Sequence, residues 1–288
     1  MKVIIDSFYH TLTWIIKMIT FQTHWYENYF WGLLVISFVI WLLEIAIPWR
    51  KNQSIFREDF KIDFFYMFFH FFIFALFING FYATINNSFE QYGVTTRSLT
   101  LIDLNHFGTA QKLIIFFIIS DFFQWFTHIL MHRVPFLWRF HQVHHSVKEM
   151  GFAAHFRYHW AENIIYKPMK TIAIMVIGGV EPEQAYIIHF MAIILGHLNH
   201  SNLNITWGPL KYIFNNPVMH LYHHAQKLPE HKKHGMNFGI SLSLWDYIFN
   251  THYLPKVDEN LKLGFKGDDS FPRSFVKHLW IGLPKTKK

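Results

Sequence analysis

Apolar positions gather into long blocks separated by short polar connections, and the block lengths decide the organisation. Residues 29–47, 64–82 and 112–131 are each dominated by Phe, Ile, Leu and Trp. A helix needs about 17–25 such residues to cross a bilayer, so three membrane spans are predicted. Residues 3–21 are also apolar but carry Asp6, His10 and Lys17 and no small-residue cleavage site. That pattern predicts an interfacial helix rather than a signal peptide or a full span. A fourth apolar region, 171–198, is broken by GGVEPEQ, where Gly178, Gly179 and Pro182 mark a turn. Each arm is short for an independent span, so a helical hairpin that dips into the bilayer and returns is expected. The fold class is therefore an all-α integral membrane bundle of about four spans, counting the hairpin.

Composition supports this reading. Of the 288 residues 52% are apolar, 20% aromatic and only 16% charged, too little charge for an ordinary solvated surface. The absence of cysteine excludes disulfides, thiolate metal sites and cysteine nucleophiles. The net charge of +7 comes with no basic stripe or recognition motif, so it is read as membrane-facing and topology-setting charge, and no nucleic-acid partner is expected. The connection after the first span carries Arg50, Lys51, Arg57 and Lys61, whereas the longer one from 83 to 111 carries only Arg97. The positive-inside rule makes the first connection cytoplasmic. The third span then exits on that side, and the hairpin returns there. The expected divisions are an N-terminal membrane region (1–111), a histidine-rich domain (112–255) and a C-terminal cytoplasmic tail (256–288).

Candidate chemistry sits almost entirely in the second half, where 17 of the 21 histidines lie from His128 onward. His128 and His132 in HILMH are four apart and share a helix face. The zinc-protease motif has Glu after its first His, but Ile129 stands there, which excludes that reading. The spacing H-x-x-H-H occurs twice, at His141, His144 and His145 and at His220, His223 and His224. Positions i, i+3 and i+4 share one helical face, with the adjacent pair splayed enough to reach two neighbouring ions. These eight imidazoles exceed what one centre can use beside substrate or oxygen, so two metals are expected. Imidazole alone does not choose between iron, zinc, copper and nickel. Isolated histidines such as His70 and His189 are read as structural.

The order of these boxes, with His200 in GHLNHSN between them and NFGISLSLWDYIFNTHY closing the region, resembles the fatty acid hydroxylase/sterol desaturase superfamily of membrane di-iron oxygenases, over roughly residues 121–253. The resemblance implies a membrane anchor under a cytoplasmic histidine-rich helical cap. Two irons there would activate dioxygen to hydroxylate or desaturate a lipid. The implied ligands are His128, His132, His141, His144, His145, His200, His220, His223 and His224. His197, three residues before His200 on the same helical face, is a tenth candidate. Where many members read R-x-H-P-x-E, this chain reads RYHWAE, keeping Arg157, His159 and Glu162 with Trp160 in the proline position.

Ligand imidazoles need acceptors that orient them. The candidates are Glu162, Asn237 and Asp246, which also stand as the catalytic candidates, together with Asp121, a carboxylate seven residues before His128 inside a span. A helix cap is the other reading of Asp246. No Gly-rich dinucleotide fingerprint occurs, so electrons must come from a reductase or small carrier, and Lys227, Lys232 and Lys233 form a candidate docking run. The competing functional class is a membrane protein that binds metal or haem for transport or electron transfer without oxygenating anything. Such a transporter places its polar ligands near the midplane along a path, whereas these gather at helix ends on one side.

Overall fold

The structure is a computed structural model that describes residues 1–95, 98, 100–256, 258 and 260–284; Arg97 lies outside the described residues. Among the described residues three helices are long and apolar enough to cross a membrane: α2 (Tyr29–Ala46), the 32-residue helix Phe60–Gln91, and α5 (Thr109–Arg133). Their boundaries follow from local chemistry. The Asn28 side chain accepts the Trp31 N–H at 3.2 Å and caps α2. Pro135 lacks an N–H and its ring opposes helical geometry before it, so α5 stops there and α6 (Pro135–His145) begins with the proline at its first position.

The helix Phe60–Gln91 is α3 (Phe60–Phe68) and α4 (Phe74–Gln91) joined by a π-turn, Phe69–Ile73. The π-turn presents His70 inward, where Nε2 contacts the Tyr158 carbonyl at 2.9 Å and Nδ1 accepts from Asn163 Nδ2 at 3.0 Å. Both ring nitrogens are thus satisfied structurally. α1 (Lys2–Ile19), expected as interfacial, lies lengthwise and antiparallel on α4. Ile4 meets Gly80, Phe8 sits 6.2 Å from Phe77, and Asn79 donates to Thr11 at 3.1 Å.

The hairpin is longer than its apolar pattern predicts. Its arms are α7 (Trp160–Val176) and α8 (Pro182–Asn199), joined where β2 (Ile177–Gly178) pairs in parallel with β1 (Ile102–Asp103). At that turn Lys112 of α5 donates to the Gly179 carbonyl at 2.8 Å, while the other end of α7 reaches α6 through Glu162 and His141. The hairpin therefore runs the whole depth of α5. Glu162, Asn163, Lys167, Pro168 and Lys170 in the first half of α7 hide that length from a hydropathy reading.

Short elements cover the end of the bundle where α5 exits: α6, α9 (Pro217–His223), α10 (Leu244–Ile248) and α11 (Phe275–His278). A buried ion-pair network ties this cover to α3. Arg157 pairs with Asp63 and, at 2.9 Å, with Asp59, and Arg57 reaches Asp63 at 3.1 Å. The described part of the expected C-terminal tail packs back on the bundle. Gly264 donates to the His224 carbonyl at 3.0 Å, and His278 sits between the Tyr66 hydroxyl (2.9 Å) and the Pro272 carbonyl (2.6 Å).

Candidate metal centre

Nine of the ten histidines singled out by spacing and resemblance meet at this covered end in two groups. His128, His132, His141, His145 and His223 form one group, and His144, His200, His220 and His224 the other; within each group the ligand atoms lie within 4.8 Å of one another. Each H-x-x-H-H box serves both groups. His141 and His145 point to the first and His144 to the second, and His223 points to the first while His220 and His224 point to the second. All are buried except His132, which is partly exposed.

Backbone carbonyls fix which ring nitrogen faces inward. A carbonyl can only accept, so the Nδ1 that contacts it must carry the proton and Nε2 must be the lone pair. This holds for His128 on Phe238 O (2.8 Å), His144 on Arg157 O (3.1 Å), His200 on Gly196 O (2.7 Å) and His223 on Met236 O (2.8 Å). His141 Nδ1 is held by Glu162 Oε2 at 2.8 Å, while Glu162 Oε1 accepts the His159 N–H at 3.0 Å.

The consequence is two couples of lone pairs facing each other, one in each group. Nε2 of His128 and Nε2 of His141 are 3.1 Å apart, and Nε2 of His144 and Nε2 of His200 are 3.3 Å apart. The His144–His200 contact has no proton to share, because carbonyls hold both Nδ1 protons, and the His128–His141 contact has none when Glu162 is ionised. His223 Nε2 is buried without a hydrogen-bond partner among the described residues. Converging, dry lone pairs of this kind need a cation, and this donor set fits a pair of imidazole-bound metal ions. Burial pushes the His141 ring down to about 3, and burial followed by neighbouring imidazoles holds His144, His145, His220, His223 and His224 well below the usual histidine range. The rings are therefore kept neutral, the form that binds metal.

The other sequence candidates lie behind this centre. His197 falls outside both groups, with Nε2 3.1 Å from the Ser37 hydroxyl and Nδ1 2.9 Å from Nδ1 of His155. His159 caps α7: Nδ1 accepts the Ala161 N–H at 3.0 Å and Nε2 contacts the Leu279 carbonyl at 3.1 Å. Asp246 touches no ligand ring. Its carboxylate accepts from Trp125 Nε1 (3.1 Å), Thr251 Oγ1 (2.6 Å) and the N–H groups of Phe238 (2.9 Å) and Gly239 (2.8 Å), so it fixes the carbonyl on which His128 rests. Burial raises its carboxyl and these donors oppose that rise.

Asn237 does similar work with its backbone in the left-handed region (φ 54°). Its amide donates to the Met219 carbonyl (2.8 Å) and the Tyr253 carbonyl (2.7 Å), and its oxygen accepts from Tyr253 N–H at 2.7 Å. Asp121 accepts from the N–H groups of Ser241 (3.1 Å) and Leu242 (3.3 Å) and from Trp245 Nε1 (3.1 Å), gripping the same loop from inside α5. Sequence reasoning missed His155, whose ring stacks 5.0 Å from His200. Its one legible sign is Gly196, where a Cβ would strike the His155 ring.

A cavity of about 440 Å³ opens onto both groups, lined by His128 and His141 of the first and by His144, His200 and His220 of the second. It continues between α7, α8 and the N-terminal helices past Phe71, Phe156, Ala192 and Ile193. Most of its exposed wall is hydrocarbon, with the histidines gathered at one end, the shape expected of a ligand site.

Residues 113–251 match the family model described as fatty acid hydroxylase. Over this stretch, just under half of the chain, the protein is similar to the fatty acid hydroxylase/sterol desaturase superfamily. Among its relatives, the ornithine lipid hydroxylase OlsE of Rhizobium tropici is 29% identical over 190 residues, covering 64% of this chain and 56% of that protein. The alkylglycerol monooxygenase of Caenorhabditis elegans is 27% identical over 144 residues (49% and 26%), and the methylsterol monooxygenase 1-1 of Arabidopsis thaliana is 27% identical over 148 residues (49% and 46%). The chain thus spans from about a quarter to just over half the length of these relatives. No solved structure matches it.

Proposed function

We propose that this protein is a membrane-bound non-haem di-iron oxygenase that uses dioxygen and two external electrons to hydroxylate or desaturate a lipid. The observation that carries the reading is the pair of facing imidazole lone-pair couples at the end of a hydrocarbon cavity. The relatives, a lipid hydroxylase and two lipid monooxygenases by name, support it. In hydroxylation one oxygen atom enters a C–H bond, and the other leaves as water after taking up two electrons and two protons. Two irons held by the nine histidines would supply the redox chemistry that dioxygen cleavage requires.

The chain's own contribution is positional. Buried neutral imidazoles resist oxidation, the backbone carbonyls and Glu162 keep the Nε2 lone pairs aimed inward, and the apolar cavity walls exclude water from the reacting carbon. We read the histidine end as cytoplasmic. Arg50 donates to the Leu261 carbonyl at 2.7 Å and Arg57 to the Gly151 carbonyl at 3.2 Å, so the basic connection packs on that end, as the positive-inside rule asks. An acidic reductase or carrier would deliver electrons at the nearby cleft of about 890 Å³, lined by Arg133, Lys211, Lys232 and Lys233 against the single acid Glu230. Lys227 of the candidate docking run lies outside that lining.

Metal analysis of the protein purified in detergent tests the reading, together with lipid extracts from cells with and without the gene. Two irons per chain and a lipid that gains one oxygen or loses two hydrogens are expected. Haem absorbance, or no bound metal after iron-replete growth, would overturn it.

A further inference from the structure

The cavity has a second chemical end. Its charged lining consists of Glu162, Lys167 and Lys170. Glu162 is committed to His141 and the His159 N–H, so no free carboxylate faces the two lysines across the cavity. Lys167 is held locally, donating to Asn79 Oδ1 at 2.5 Å with its ammonium 4.9 Å from the Tyr82 ring centre. Lys170 has neither a hydrogen bond nor an ion pair among the described residues.

Its position is what makes this unusual. Lys170 lies eight residues along α7 from Glu162, about 12 Å at 1.5 Å per residue, and α7 runs beside α5 from the histidine end to the Lys112–Gly179 contact. The lysine therefore sits part-way down a helix that lies alongside the spanning helix α5. A helical Cα–Cβ bond tilts toward the N-terminus, so the side chain is directed back along the cavity toward the histidines, away from the nearer hairpin turn. An ionisable group at such depth normally has a partner, and the cavity wall supplies none of opposite charge. The remaining volume can supply it.

We infer that Lys170, with Lys167 beside it, forms a subsite for the acidic head of an amphiphile, a carboxylate or a phosphate, whose apolar part extends along the cavity to the histidines. This inference rests on reading the cavity as the substrate site and narrows the substrate class from lipids in general to those with an acidic group. It sets the oxidised carbon on the order of 10 Å from that group, by the helical rise between Lys170 and Glu162. Tyr186 and His189 of α8, which line the same stretch, complete its polar walls.

Binding can be read without turnover. The purified full chain, in nanodiscs of a neutral lipid, is titrated with palmitate, hexadecyl phosphate, hexadecanol and inorganic phosphate, for the wild type and for Lys170→Met and Lys170→Arg, with iron content measured on the same samples. The wild type should bind one or both acidic amphiphiles at least about tenfold more tightly than hexadecanol, a difference of about 1.4 kcal/mol. Inorganic phosphate should bind far more weakly. Lys170→Met should bring acid and alcohol to within about twofold by weakening the acid alone, and Lys170→Arg should keep most of the preference.

Equal affinities for acid and alcohol in the wild type would overturn the inference whatever the variants do. So would an undiminished preference in Lys170→Met, or inorganic phosphate binding as tightly as the amphiphiles. Acid preference in a protein that holds no iron would leave this subsite standing while removing the oxygenase reading. Full iron without acid preference would do the reverse.

Discussion

The lipid-facing anchor and the histidine end are built on opposite terms. Along α2 the side chains of Val35, Phe38, Val39 and Leu42 point outward, and the buried stripe is narrow: Tyr29, Leu33, Ser37, Ile40 and Glu44. Within the stripe Ser37 contacts His197 and Glu44 accepts the N–H groups of Phe152 and Asn202, whereas in lipid the outward residues can be exchanged for other apolar residues at little cost. At the histidine end specific partners fix the direction of several buried rings, while His220 Nδ1, His223 Nε2 and His224 Nδ1 have none among the described residues. His128 depends on a carbonyl whose own N–H is held by Asp246, and His144 on the carbonyl of an arginine that also pairs with Asp59 and Asp63. The anchor specifies burial, whereas the cover specifies direction. Substitutions should separate the two regions sharply.

The widest separation should come from the ligands themselves. His223→Ala and His144→Ala each remove an inward lone pair from a different group. Each is expected to lower bound metal to half or less and turnover by roughly 100-fold or more, measured by metal analysis and product formation on folded protein. His10→Ala, on the exposed face of α1, should change neither. Equal activity in all three would mean that the two groups are not the reaction centre.

Asp246→Asn should come next. Four donors converge on this carboxylate, and an amide of the same size must turn an NH₂ toward at least one of them. The expected cost is about 2–4 kcal/mol of stability with weakened metal retention, because buried charged hydrogen bonds contribute about 1.5–3 kcal/mol each. Thermal melting with and without added iron would show whether the loss passes through the 236–239 loop. A variant that melts like wild type would contradict that role.

These two cases also mark where the sequence was legible. The boxes could be read because each is a contiguous helical pattern: i, i+3 and i+4 on α6 and on α9 must share a face whatever surrounds them. The division of each box between two groups followed from the splay of adjacent positions. The carbonyls of Phe238, Met236, Arg157 and Gly196 could not be read, because a main-chain acceptor leaves no residue type to recognise. His155 was hidden for a different reason: its approach to His200 depends on a missing Cβ at Gly196, a contact made across the fold. Hydropathy placed α2 and α5 closely. It shortened α7, where Glu162, Asn163, Lys167 and Lys170, which spoil the apolar pattern, line the cavity.

Glu162→Gln refines the comparison within the histidine end. Glutamine keeps an oxygen that can accept either the His159 N–H or the His141 Nδ1–H, so one of the two contacts survives and the α7 cap need not be lost. What disappears is the charge behind His141, which strengthens that ring as a donor to metal. The expected change is a roughly tenfold loss of metal affinity in the first group with little change in melting temperature, within the 10–100-fold range of such outer contacts. Competition with a graded chelator checks it, and unchanged affinity would mean that Glu162 serves only as a helix cap.

The smallest effect belongs to the anchor. Phe38 is 55% exposed on α2, so in the membrane its ring meets acyl chains and no particular residue. Phe38→Leu replaces one lipid-compatible side chain by another and should shift stability by no more than about 0.5 kcal/mol, with metal content and turnover unchanged. Gly32 on the same helix makes the control sharper, because a Cβ there would lie 2.7 Å from the Phe190 ring of α8. Gly32→Ala should therefore cost more than Phe38→Leu although it adds only one methyl group, because it pushes α2 off the hairpin that carries His200. If both variants behaved alike, the contact between α2 and α8 would be as interchangeable as the lipid face. The contrast between a permissive anchor and a directed cover would then have to be drawn at the hairpin rather than through it.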